Sequence, residues 1–168
     1  IYDYLQKNGS SMWTQGKEIN VFDINNFRFS TPICFEDTFG YIGRRFVNNG
    51  ARAFVNMSND AWAKSRACQL QHLSMAVFRS VENRVPTVRS TASGETVIID
   101  INGRITKSIS PFEQNFLVGE IPLINDYKST IYTRFGDYVG VLFTLLAIFF
   151  LVFGVVKQFT RKKTFKRK

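Results

Sequence analysis

Between Asp137 and Lys157 the chain runs for nineteen residues, Tyr138 to Val156, without a charge, and Val, Leu, Ile and Phe dominate the stretch. At about 1.5 Å per residue, a helix of that length matches a hydrocarbon core of about 30 Å. Core helices of soluble domains seldom run so long without a polar stripe. The pattern therefore predicts a transmembrane helix over 138–156, a folded segment over 1–137 and a tail over 157–168.

Upstream, the period of the apolar positions changes several times. Residues 1–16 are polar and carry Gly and Ser, which predicts a loop with a short helical piece. Ile19 and Val21, then Phe27 and Phe29, alternate with polar neighbours as half-buried strands do, with Asn25-Asn26 as the turn. The second run continues to Cys34. Phe39, Ile42, Phe46 and Val47 then fall at helical spacing, and Asn49-Gly50 is a helix end. Ala53 to Met57 reads as a short buried strand, followed by a turn at Ser58-Asn59-Asp60.

A second helix fits Gln69 to Arg84, with Leu70, Leu73, Val77 and Val81 along one face. Strands follow over Thr87 to Thr91 and Thr96 to Asp100, with Asn102-Gly103 as a hairpin turn and a partner strand through Ile109. Phe116 to Ile121 is predicted as a last strand. Through Ile109 the order is β-β-α-β-α-β-β-β, with helices between the middle strands, which specifies an α/β fold in which helices cover a sheet.

Charge sharpens the membrane reading. Of the net charge of +9, seven units lie in the tail from Lys157 to Lys168, which holds no acidic residue. A pI near 9.8 would suggest nucleic acid, but with the excess confined to the tail no nucleic-acid partner is expected. The twenty residues before Asp137 carry only Lys128 and Arg134 as basic residues. The positive-inside rule puts the tail in the cytoplasm and the domain outside, in a periplasm-like space. There Cys34 and Cys68 could form one disulfide. His72 is the only histidine, so no zinc spacing arises and no metal is expected. The chain begins at Ile1 with no signal peptide, and its front end is expected to be missing.

The candidate chemistry centres on Cys34, which ends a buried-looking strand and opens a helix. A thiol at a helix N-terminus sees a partial positive charge that favours thiolate. A small buried hydrophobe is the plainer account of such a cysteine. Its neighbours form an ordered set: Pro32-Ile33-Cys34-Phe35-Glu36-Asp37, Asn56-Met57-Ser58-Asn59-Asp60-Ala61-Trp62, Gln71-His72, Arg79-Ser80-Val81-Glu82-Asn83-Arg84, Arg89-Ser90-Thr91-Ala92-Ser93-Gly94 and Asp100-Ile101-Asn102-Gly103-Arg104. That set resembles the nitrilase, or carbon–nitrogen hydrolase, superfamily. The Asn-Asp-Ala-Trp loop, the Gln-His pair, Arg-Ser-Thr and the juxtamembrane stretch from Thr130 to Asp137 resemble its apolipoprotein N-acyltransferase branch. The resemblance extends from about residue 27 to residue 156.

The resemblance implies the C-terminal half of a nitrilase-like α-β-β-α sandwich, over 1–137, followed by one transmembrane helix. It implies a membrane enzyme of the cell inner membrane. Such enzymes move an acyl chain from a phospholipid donor onto a cysteine as a thioester, then onto the N-terminal amine of a diacylglyceryl-modified apolipoprotein. No cofactor is used. On it, Cys34 matches the nucleophile and the backbone N–H of Phe35 an oxyanion donor. Glu36 and Trp62 match positions in the vicinity of the active site. A first-turn carboxylate favoured by the helix dipole is the competing reading of Glu36, and an aromatic bedded in lipid headgroups that of Trp62.

Asn59 and Asp60 are expected to shape a turn, His72 to be structural, Glu82 and Arg84 to make packing ion pairs, and Cys68 to be a bystander. The superfamily also uses a Glu base and a Lys, which in this branch lie well upstream of the cysteine. Lys7, Lys17 and Glu18 precede Cys34 in stretches that match neither motif. The chain alone is therefore expected to be inactive. Two rival readings are a membrane-tethered amidase of the same superfamily and a non-enzymatic remnant of a split gene.

Overall fold

The computed structural model describes Lys7 and residues 16–165, with side chains described through residue 158. The loop expected over 1–16 lies almost wholly outside the described residues.

A hairpin comes first. Strand β1 (Phe22–Ile24) pairs antiparallel with β2 (Phe27–Phe29). Asn25 and Asn26 both take left-handed φ values, 51° and 67°, and Asp23 Oδ1 accepts the Asn26 N–H. Two consecutive left-handed residues make the turn whose twist matches a hairpin, and asparagine tolerates that region better than most. Ile19 and Val21 were expected to be strand residues. They precede the pairing and pack instead on the core cluster of Phe46, Val47, Ala51, Phe54 and Val85.

After β2 the chain runs parallel to β3 (Phe54–Asn59), touching it through isolated bridges at Ser30–Phe54 and Ile33–Met57. Pro32 lies between the bridges and has no N–H to donate, so a continuous ladder cannot form there. A turn of 3-10 helix, Cys34–Thr38, follows, and then α1 (Gly40–Asn48). Helix α1 ends as expected at Asn49-Gly50, with Gly50 at φ 103°.

The main sheet has the order β3-β4-β5-β6, with β4 at Thr87–Ala92, β5 at Thr96–Ile99 and β6 at Ile105–Ile109. β3 and β4 are parallel and joined by α2 (Arg66–Asn83), while β5 and β6 form the antiparallel hairpin predicted around Asn102-Gly103. Phe54 of β3 is 1% exposed, in the cluster with Phe46 and Val47 of α1. Burying such a side chain stabilises the fold by about 1.5–3 kcal/mol. Leu73 of α2 meets Val97 and Ile99 of β5 in a second cluster.

Two expectations fall short here. Helix α2 buries only part of the stripe of Leu70, Leu73, Val77 and Val81: Leu73 is buried and Val77 packs half-buried on the same cluster. Its buried residues are Gln69, His72, Leu73, Ala76, Arg79, Ser80 and Asn83, and Leu70 is exposed. The helix turns a largely polar face inward because each of its buried polar side chains finds at least one partner there: Gln69 Nε2 donates to Ala63 O, and Ser80 bonds Thr87 across to β4. The second failure is the strand over Phe116 to Ile121, which is irregular chain. Phe116 and Val118 are exposed, so the alternation has no buried face to serve. Lys107 Nζ, rather than a strand backbone, donates to Val118 O.

The segment before the long helix is tied to the domain. Thr130 caps a five-residue helix, α3 (Ile131–Phe135), its Oγ1 accepting from Thr133 N, and also donates to Glu82 O. Thr133 is fully buried and its hydroxyl donates to Asn83 Oδ1 at 3.0 Å. Arg44 of α1 donates to the carbonyls of Thr133 and Arg134. Two residues later α4 (Tyr138–Phe165) begins; its stretch Tyr138–Gln158 is long and apolar enough to cross a membrane. The helix continues past residue 156, so the tail set apart at 157–168 is helical as far as Phe165.

Replacing Thr133 with valine keeps its shape and strands Asn83 Oδ1. We expect Thr133→Val to destabilise the domain by about 1–3 kcal/mol, with Thr133→Ser close to wild type. Thermal or denaturant unfolding of the detergent-solubilised chain measures it. Equal stability of the valine and wild-type proteins would remove Thr133 as a tether.

Candidate active site

Cys34 sits where the edge run beside β3 turns into the 3-10 segment, near the carboxyl end of β3. Its φ is +51°, a left-handed value that costs a non-glycine residue about 1–2 kcal/mol. The surroundings hold it there: Asn56 Nδ2 donates to the carbonyls of both Pro32 and Cys34, each at 3.1 Å. Cys34 is half-buried, and its Sγ lies 3.4 Å from Ser58 Oγ. Both cysteines are free thiols, so the disulfide considered between Cys34 and Cys68 is not formed. The expected helix N-terminus at Cys34 is also corrected. The 3-10 segment has five residues and Phe39 is extended (φ −94°, ψ 109°), so α1 starts afresh and its dipole points from elsewhere.

Phe35, second in the 3-10 turn, has a backbone N–H with no acceptor inside the turn. Its side chain is 48% exposed, edge-on to Phe39 and tilted over the His72 ring. Glu36 turns back to accept the Ile33 N–H at 2.8 Å, which agrees with the reading of a first-turn carboxylate. Trp62 is 66% exposed and lines a cavity of about 240 Å³ with Phe35, Ala63, Cys68, His72 and Met75. Cys68, expected to be a bystander, shares a wall with Phe35 and Trp62.

Behind the cysteine lies a buried cluster that the sequence reading did not assemble. His72 Nε2 donates to Asp37 Oδ1 at 2.8 Å. Arg89 Nε donates to Asp37 Oδ2 at 3.1 Å, and its Nη2 to Asp60 Oδ2 at 3.2 Å. Ser58 Oγ is 2.7 Å from Asp60 Oδ1. Asp37, Asp60, His72 and Arg89 are all within 5% of complete burial. Their partners come from the 3-10 turn, the β3–α2 loop, α2 and β4. The Nδ1 of His72 faces both Arg89 Nη2 (2.9 Å), which only donates, and Asp60 Oδ1 (3.1 Å), which only accepts. One of those contacts can be a hydrogen bond in any one protonation state of the ring.

Asn59 shapes the turn as expected, its Oδ1 accepting from Ala61 N, whereas Asp60 is a buried ion-pair partner. His72, expected to be structural, is embedded between Asp37 and Asp60. Glu82 pairs with Arg79 at 2.7 Å; Arg84 pairs with no carboxylate, and donates to Asn102 Oδ1 and Ile101 O from a left-handed helix end. The expected ion pair of Arg84 is therefore absent among the described residues.

The sequence pattern of the carbon-nitrogen hydrolase family matches residues 1–130 of this chain. The chain belongs to that family. It is 46% identical over 99% of its own length to apolipoprotein N-acyltransferase 1 of Treponema denticola, and 46% identical over 96% to apolipoprotein N-acyltransferase 1 of Treponema pallidum. It spans 30% and 29% of the lengths of those two relatives. Among solved structures it is similar to a carbon-nitrogen hydrolase from Helicobacter pylori, with TM-score 0.53 at 10% identity, covering 60% of this chain and 42% of that one. The expected resemblance and the nitrilase-like fold are thus both met.

Within this carbon-nitrogen hydrolase domain, the residues the sequence reading missed are Asp37, Ser58, Asp60 and Arg89 as a unit. Their signal was present in part. An arginine inside the strand at 87–91 asks for a partner wherever that strand is covered, but which carboxylates answer depends on chain crossings.

Next to the site, burial pushes the Glu82 carboxyl up from its ordinary value of 4.5; Arg79 opposes this by charge and hydrogen bond, and Asp137 adds to it. The folded state therefore holds the proton more tightly than the unfolded chain does. That stability is present below the unfolded value and is lost as pH rises through the raised one. Glu82→Gln should flatten this fall in unfolding experiments run from acid to neutral pH. Parallel curves for both proteins would contradict the assignment.

Proposed function

We propose that this chain is the cysteine-bearing part of an N-acyltransferase that moves an acyl chain from a phospholipid to the N-terminal amine of a diacylglyceryl-modified apolipoprotein. The observation that carries the reading is the placement of Cys34. It is a free thiol on a left-handed turn beside the carboxyl end of β3, with a cavity next to Phe35, in a chain 46% identical to enzymes of that name. Ligand sites of α/β sheets collect at the carboxyl ends of strands.

The chemistry runs in two half-reactions through one thiol. The Cys34 thiolate attacks the ester carbonyl of the donor, and the Phe35 N–H donates to the oxyanion that forms. Collapse breaks the C–O bond, and the lysophospholipid leaves with a proton. The thioester is then attacked by the amine, the C–S bond breaks, and the thiol is restored. Glu36 acts through the backbone, holding the turn that aims Cys34 and Phe35. Trp62 stands at the rim of the cavity, where an indole suits both an acyl chain and a headgroup.

The base and the oxyanion lysine of this chemistry match no residue among 1–33, so residues 1–168 by themselves form no acyl-enzyme. The domain, 1–137, stands outside the inner membrane, Tyr138–Gln158 crosses it, and the basic tail is cytoplasmic, which the seven-to-two excess of basic residues supports.

Three measurements test this. Incubated with phospholipid alone, the natural full-length enzyme should gain one acyl mass on Cys34, released by hydroxylamine. Cys34→Ala should lower transfer by on the order of 10³-fold or more. Normal transfer by that variant would end the mechanism, and an adduct on residues 1–168 alone would make the upstream residues dispensable for the first step. A reporter active only in the cytoplasm should work after Lys168 and fail after Gly103; the reverse pattern would invert the topology.

A further inference from the structure

Ser58 has one hydroxyl proton and two partners within reach, Asp60 Oδ1 at 2.7 Å and Cys34 Sγ at 3.4 Å. The longer distance is ordinary for sulfur, which is the larger atom. A hydroxyl donates once and accepts twice, so the proton serves one partner at a time. While Cys34 is a thiol, the stronger acceptor is the carboxylate, and the S–H can donate to Ser58 Oγ. Once the S–H proton has left to a base, the sulfur becomes an anion that needs a donor. The Ser58 hydroxyl can then rotate to it by turning one bond.

Asp60 tolerates that loss because Arg89 holds it independently, Nη2 donating to its other oxygen, Oδ2. Ser58 itself is half-buried on β3, whose alternation directs Phe54, Asn56 and Ser58 to the helix-covered face. The charged groups around the thiol are Glu36 and Asp37 on the 3-10 turn, Asp60 beyond β3, His72 on α2 and Arg89 on β4.

We infer that Ser58 is a positioning residue for Cys34: its hydroxyl accepts from the thiol while its own proton goes to Asp60, and turns that proton to the sulfur once the thiolate has formed. The inference rests on the reading of Cys34 as nucleophile, and adds to it a residue that touches neither lipid nor lipoprotein. No covalent bond changes at Ser58, and its proton stays on oxygen throughout.

Alkylation by iodoacetamide tests this without any lipid substrate; the thiolate forms an S–C bond and iodide leaves. The natural full-length protein in detergent is treated across the pH range over which thiols ionise, and Cys34 is followed by peptide mass. Ser58→Ala should displace the Cys34 profile to higher pH and slow its alkylation at neutral pH by about 10-fold, the worth of one charge-assisted hydrogen bond. Ser58→Thr, which restores the hydroxyl, should return to within about 2-fold of wild type by the same measure of one regained bond. Should the alanine protein fail to fold, Ser58→Thr against Ser58→Val decides, since these side chains share a shape and differ in the hydroxyl; only valine should show the displacement. Profiles that ignore the hydroxyl, or a threonine protein displaced as far as the alanine one, would overturn the role of Ser58. A folded wild-type protein whose Cys34 resists alkylation at every pH would instead overturn Cys34 as the nucleophile.

Discussion

Two carboxylates, Asp37 and Asp60, lie within 3% of complete burial, and the rest of the site depends on how they are satisfied. An ion taken from water into a protein interior costs several kcal/mol unless it is paired and its remaining acceptors are filled. Here one guanidinium and one imidazole stand between the two carboxylates and reach both. Each carboxylate comes from a different loop, the guanidinium from β4 and the imidazole from α2. The cluster therefore does more than tolerate burial. It joins the 3-10 turn, the β3–α2 loop, the helix and the sheet at one point, and removal of Arg89 would leave two buried carboxylates without their guanidinium.

The geometry of Cys34 follows from that joint. Asp37 is three residues beyond the cysteine and Asp60 two beyond Ser58, so anchoring the carboxylates sets the turn that carries the thiol and the hydroxyl facing it. Asn56 completes the frame by donating to the carbonyls on either side of Ile33. A left-handed φ at Cys34 persists because the surroundings over-determine it, as is usual where backbone strain coincides with chemistry.

A second chain of bonds reaches toward the long apolar helix. Thr133 and Asn83 lock the turn before that helix to the end of α2, while Arg44 fixes it to α1. Helix α2 carries His72 in its first half and Asn83 at its last residue, so one rigid element connects the cysteine site with the start of the apolar helix. On the proposed function, this sets the distance of the thiol from the lipid that supplies its substrate.

The order of strands and helices, the two hairpin turns and the apolar span were legible in the residues, because each depends on local period and turn chemistry. Asn25-Asn26 and Asn102-Gly103 form turns by their own backbone preferences, and nineteen uncharged residues are a membrane-length helix wherever they occur. Family membership was legible too, through an ordered set of short motifs around Cys34. What the residues alone left open was set by contact. Leu70 marked the inward face of α2 yet stayed exposed, while the helix turned His72, Arg79 and Asn83 inward, since their partners lie on other elements of the chain. Phe116 to Ile121 alternated like a strand and stayed irregular, since no surface was there to bury it. Local sequence determined where the chain turns, where it coils and where its long apolar helix runs. Only the tertiary structure decided that Asp37, Ser58, Asp60, His72 and Arg89 meet behind Cys34, because buried charges choose their partners across space and no period along the chain records that choice.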